Sequence, residues 1–135
     1  MDEQAMLAEK APHYQYEAEV TNIVDGDTLD VEMDLGFETF TTERIRLRHV
    51  DTAETYGTAE NSKEHRRGEK HTEAVEGWVE EAQGQTEGDR VFVLFSQDYS
   101  RGGFGRIIGD LYSPYHEEWL TDFLLDTFDD IDYTG

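Results

Sequence analysis

The chain has no cysteine, two prolines and three lysines in 135 residues. Without cysteine it can form neither a disulfide nor a thiolate metal site, which leaves the redox compartment open. The prolines serve as punctuation: Pro12 ends an N-terminal arm, and Pro114 breaks the chain before its last helix. No apolar run approaches the roughly 18 residues that would span a bilayer. The N-terminus, Met1-Asp2-Glu3-Gln4, lacks the basic and apolar regions of a secretory signal. These absences lead us to expect a soluble, cytoplasmic protein with no membrane partner. There is no internal repeat, and the length suits one domain.

Acidic charge is abundant. There are 32 Asp and Glu against 11 Lys and Arg, for a net charge of −21. Seven Phe, seven Tyr, two Trp and clear strand patterns argue against disorder. Repulsion from other polyanions is one consequence of such charge. Adaptation to high salt is the reading we favour. In molar salt the Debye length is about 3 Å, so net charge says little about partners and local geometry decides. Except for Lys10, every Lys and Arg falls between Arg44 and Arg106. Pairing with neighbouring acids on a solvated face is the plain explanation of any one of them. A phosphate-facing surface is the functional one.

Residues 1–13 carry no core pattern and are expected to form an arm. Alternation of Tyr14, Tyr16, Ala18 and Val20 predicts a first strand running through Val24, and Asp25-Gly26-Asp27 a turn. Thr28–Leu35 alternates again, with Leu29, Val31, Met33 and Leu35 inward. Phe37–Val50 supplies a third strand. Thr55–Gly68 is polar and reads as a long loop, and Glu69–Gln83 as a helix with Ala74, Val75, Trp78, Val79 and Ala82 on one stripe. Arg90–Ser96 is an apolar run expected to be a strand buried on both sides. Gln97–Gly105 reads as a hairpin connection, Arg106–Tyr112 as a fifth strand and Glu117–Phe128 as a second helix. Residues 129–135 form an acidic tail. The order βββαββα points to an α+β fold, a five-stranded OB-type barrel over residues 14–128.

Several residues could carry chemistry. Asp25, Asp27 and Asp51 stand at strand–loop junctions, and neighbouring strands would let Asp27 face Asp51. Two carboxylates and a backbone carbonyl suit a hard cation such as Ca²⁺ or Mg²⁺, although Asp-Gly-Asp is also an ordinary hairpin turn. Arg46 and Arg106 could fork onto phosphate oxygens, or be surface arginines. Glu54 could take a proton from water, or be an exposed loop acid. The segment Lys63-Glu64-His65-Arg66-Arg67 could follow a nucleic-acid backbone through Lys63, Arg66 and Arg67, or be a solvated loop. His49 shares a face with Ile45 and Leu47 and is expected in the core.

Together the blocks Val24-Asp25-Gly26-Asp27-Thr28-Leu29, Arg46-Leu47-Arg48-His49-Val50-Asp51-Thr52-Ala53-Glu54-Thr55 and Phe104-Gly105-Arg106 resemble the staphylococcal-nuclease (thermonuclease) family in order and spacing, over about Glu17–Leu125. The resemblance implies a Ca²⁺-dependent phosphodiesterase on DNA and RNA, preferably single-stranded, leaving 3′-phosphate and 5′-hydroxyl ends. It implies that Asp27, Asp51 and the Thr52 carbonyl hold the metal, with Asp25 supporting them. Arg46 and Arg106 would bind the scissile phosphate. Glu54 would be general base or water-positioning group, and Phe104 would pack near the nucleotide. Ala53 stands where the family usually has proline, and the chain after Leu125 departs from the family's third helix. A non-catalytic OB module that binds single strands or a protein is the alternative from another class.

Overall fold

The computed structural model describes residues 14–53, 62–96 and 107–134. β1 (Tyr14–Asp25), β2 (Thr28–Asp34) and β3 (Phe40–Leu47) form an antiparallel meander, followed by helix α1 (Lys63–Gln85). Then come β4 (Phe92–Ser96), β5 (Ile107–Ser113), the two-residue β6 (Glu118–Trp119) and helix α2 (Leu120–Thr127). The outer half of β1 pairs with β4, from Tyr14↔Ser96 to Ala18↔Phe92, and its inner half pairs with β2. Register shifts after Val20 and Ile23 mark the inner half; such irregularities bend a strand and raise its twist, which a closing sheet needs. β4 pairs with β5, and β5 runs parallel to β3 from Ile45↔Ile107 to Leu47↔Gly109. That parallel pair closes five strands into the OB-type barrel the sequence leads one to expect.

The core follows from the alternation. Leu29, Val31 and Met33 of β2, and Ile45 and Leu47 of β3, are buried in the barrel. Each such side chain contributes about 1.5–3 kcal/mol relative to exposure. α1 covers one side of the barrel with Gly68, His71, Val75, Trp78, Val79 and Ala82, spaced three and four apart. β4 is buried on both faces as expected. Phe92 and Leu94 enter the main core, while Phe95 packs on Trp119 at 4.8 Å in a second cluster.

Four expectations need correction. α1 begins at Lys63, six residues before the predicted Glu69, so Lys63, Arg66 and Arg67 are helical and not part of a loop. Ser62 caps it by accepting the His65 amide at 3.1 Å, and His65 pairs with Glu69 one turn on at 2.7 Å. Polar contacts start this helix, where an apolar stripe could not reveal it. Leu35 and Phe37 are exposed rather than inward or in a strand, because the β2–β3 connection turns at residues 35–39. There Phe37 and Glu38 take φ of 55° and 61° and Thr39 donates to the Gly36 carbonyl at 3.0 Å. The second helix starts at Leu120, since Glu118 and Trp119 first pair with β5. Finally, the acidic end is docked: Ile131 is buried, and Val50 and Tyr133 form an antiparallel bridge. The predicted connection 97–105, Arg106 and the N-terminal arm lie outside the described residues.

Gly109 is the tightest point of the closure. A Cβ there would lie 2.4 Å from the Phe95 carbonyl oxygen, a backbone atom that cannot swing aside. Gly109→Ala should therefore cost at least the roughly 1–3 kcal/mol of an overpacked core. Urea unfolding in concentrated salt measures it, and unchanged stability would mean that β4 and β5 are not held this closely.

Candidate metal and phosphate site

The β2–β3 register sets the site. Thr28 lies opposite Arg46, so Asp27, one residue before Thr28, stands beside the arginine. The Leu47 amide donates to the Asp27 carbonyl at 2.8 Å and extends the ladder into the turn. The chain after β3 then folds back across the turn. Thr52 donates its amide to Asp27 Oδ2 at 2.9 Å, and the Thr28 hydroxyl donates to Asp27 Oδ1 at 2.9 Å. Asp27 is thereby a buried carboxylate with both oxygens hydrogen-bonded, as burial of a charge requires.

Gly26 owes its identity to this fold-back. Its φ lies outside the left-handed region, so conformation does not demand glycine. Space does: a Cβ would meet Thr52 Cγ2 at 2.8 Å and His71 Cβ at 3.1 Å.

Arg46 sits between the two acids. Nη2 lies 3.4 Å from Asp27 Oδ2 and also pairs with Asp51 Oδ1. Nη1 donates to the Leu47 carbonyl, and to the Val50 carbonyl at 2.6 Å. The loop 48–51 is thus wrapped around the guanidinium. One cationic nitrogen touching a carboxylate oxygen of each aspartate shows that the two acids converge on a single positive charge. Hard carboxylate oxygens are the donor type that Ca²⁺ takes. Asp27 and Asp51 are of the donor type that a hard cation takes, and Arg46 stands between them. Among the described residues no group of three or more acidic or histidine side chains is gathered as for a metal ion.

Asp25 closes β1 opposite Thr28 and is half-buried. Lys63 and Arg66 are exposed on the first turn of α1. Arg67 is committed elsewhere: its Nε donates to Asp130 Oδ2 at 2.7 Å. Glu54, Phe104 and Arg106 lie outside the described residues. His49 is a core histidine as expected, stacked on Tyr133 at 4.8 Å.

Sequence reasoning passes over two participants. His71 is almost fully buried on the inner face of α1; its Nδ1 accepts the Ala53 amide at 3.0 Å, and its Nε2 meets both Asp130 oxygens at 3.1 and 3.2 Å. A histidine in the apolar stripe four residues before Val75 is a visible signal, because a buried imidazole needs partners. Asp130 carries no such signal in an acidic tail. No protein-family model matches the chain, and no curated protein matches it significantly in sequence. No helix among the described residues is long and apolar enough to cross a membrane.

The Arg67 guanidinium hydrogen-bonded to Asp130 holds that carboxyl below its ordinary range, against the opposing effect of burial and with His71 adding to the lowering. A depressed folded-state pKa contributes stability above the unfolded value, about 4, and loses it as pH falls through the folded value. The stability gap between wild type and Asp130→Asn should be steady above about pH 4 and close on further acidification. Urea titrations at a series of pH values read it. A gap that persists or widens in acid would show that the charged pairing is not what holds the tail.

Proposed function

We propose that the protein is a Ca²⁺-dependent phosphodiesterase of the staphylococcal-nuclease type, acting on single-stranded DNA and RNA in concentrated salt. The observation that carries this reading is the convergence of Asp27 and Asp51, one before β2 and one after β3 at the same end of that antiparallel pair, on one cationic nitrogen of Arg46. An OB-type barrel around it and the order and spacing of the three blocks in the sequence support the same reading.

Asp27, Asp51 and the Thr52 carbonyl would hold the cation. When bound, Ca²⁺ would supply positive charge that offsets the charge developing on the phosphate. Arg46 would exchange its contact with Asp51 for a second phosphate oxygen, and Arg106 would bind the same phosphate. Together they neutralise the pentacoordinate oxygens. Glu54 orients the attacking water or takes its proton. The water oxygen bonds to phosphorus in line with the departing 5′-oxygen, the P–O5′ bond breaks, and the 5′-oxygen takes a proton from solvent water to leave as a hydroxyl. The other fragment keeps a 3′-phosphate. Lys63 and Arg66, exposed at the start of α1, offer cations to the flanking backbone.

One observation favours a second reading. Arg46 already makes four contacts within the protein. That would suit a structural ion pair in a non-catalytic OB module that binds single strands or a protein.

The two readings separate on incubation with single-stranded DNA or RNA in molar KCl with Ca²⁺, Mg²⁺ or chelator, followed by end analysis. Cleavage to 3′-phosphate ends that chelator abolishes is the expected result, and no cleavage under any condition would favour the binding module. Arg46→Ala, Asp51→Ala and Glu54→Gln should each lose about a hundredfold or more in rate, the size of removing one transition-state contact. Near-normal turnover in Asp51→Ala or Glu54→Gln with folding intact would sink the catalytic assignment.

A further inference from the structure

We propose that His71 and Asp130 are positioning residues that aim the Thr52 carbonyl at the cation; this rests on the metal reading above. The Thr52 carbonyl and the Ala53 amide belong to one peptide unit, which is planar and trans, so they point in opposite directions. His71 Nδ1 accepts that amide at 3.0 Å and so fixes the plane, with the carbonyl directed away from the imidazole. The preceding peptide is fixed too, because the Thr52 amide donates to Asp27 Oδ2. Thr52 is thus held at both of its peptide bonds, one by a proposed ligand and one by His71.

The tautomer follows from the donor. An amide N–H can only donate, so Nδ1 carries no proton and the ring proton is on Nε2, directed at the Asp130 carboxylate. Arg67 holds Asp130 from the other side at 2.7 Å, and the Phe128 ring stands edge-on to the imidazole at 4.6 Å. Every torsion of His71 is therefore constrained. A donor–acceptor chain of this kind also polarises the peptide and makes the carbonyl a better oxygen donor. The cationic Arg67 acts in this arrangement through Asp130.

Two conservative variants divide the functions of the ring. His71→Asn keeps an acceptor near the place of Nδ1 and loses the reach to Asp130. His71→Gln keeps that reach and loses the acceptor for Ala53. Ca²⁺ binding measured by calorimetry, without substrate, is the readout, joined by deuterium exchange at the Ala53 amide. We expect His71→Gln to bind Ca²⁺ about 10–100-fold more weakly and to expose the Ala53 amide to faster exchange. His71→Asn should stay within a few-fold of wild type in both. If His71→Gln binds as tightly as wild type, or if the two variants lose affinity equally, the positioning role is overturned while the nuclease reading stands. Wild-type protein that takes up no Ca²⁺ would overturn the metal reading, and the positioning role with it. Asp130→Asn, at an exposed side chain, gives a second variant that leaves the core intact; like His71→Asn it should weaken Ca²⁺ binding by no more than a few-fold, and a loss as large as that of His71→Gln would overturn the division of roles within the ring.

Discussion

β3 is held along both edges, and the site depends on that double constraint. On one edge its register with β2 places Arg46 opposite Thr28 and brings the Leu47 amide onto the Asp27 carbonyl. On the other, its parallel pairing with β5 ends at Gly109, whose carbonyl accepts the Arg48 amide at 3.1 Å. With β3 pinned on two sides, the segment that follows has one way to go, across the Asp25–Asp27 turn. A one-residue slip against β2 would send Arg46 into the barrel and Ile45 into water, because strand side chains alternate. The buried faces of Ile45 and Leu47 thus help to fix which way Arg46 points.

The strands were legible because their side chains alternate: Leu29, Val31 and Met33, or Ile45 and Leu47, declare an inner face without any tertiary information. The start of α1 was hidden, since Lys63–Lys70 is almost wholly polar and its stabilising contacts are a serine cap and a His65–Glu69 pair. β6 is two residues long, too short for any period to show. The neighbourhood of Asp27 and Asp51 could be read from a three-strand meander, in which turn and strand end must meet. The link from His71 to Asp130 could not, because it joins residues 59 apart that share no local pattern. Local sequence reports local contacts, and this one is made by the fold.

The cations illustrate the same division. Arg44 pairs with Asp30, Arg90 with Glu32 and with the Phe40 ring face, Arg67 with Asp130, and Arg46 with Asp27 and Asp51. Gathering arginines into one stretch of a very acidic chain therefore serves structure as well as any substrate. Exposed pairs such as Arg44–Asp30 contribute little individually and less in salt. Arg46 differs because its partner Asp27 is buried, so the two must be satisfied together.

The docking of residues 130–134 onto the loop after β3 has a bearing on how the molecule assembles. Thr134 donates to the His49 carbonyl at 2.7 Å, Tyr133 bridges Val50, and Asp130 meets His71. These are among the longest loops the chain has to close, and closure entropy grows with the length enclosed. During synthesis the meander and α1 leave the ribosome well before the residues that brace the loop beside them. A growing chain therefore displays the barrel wall before the residues that brace the loop after β3 are available to dock on it.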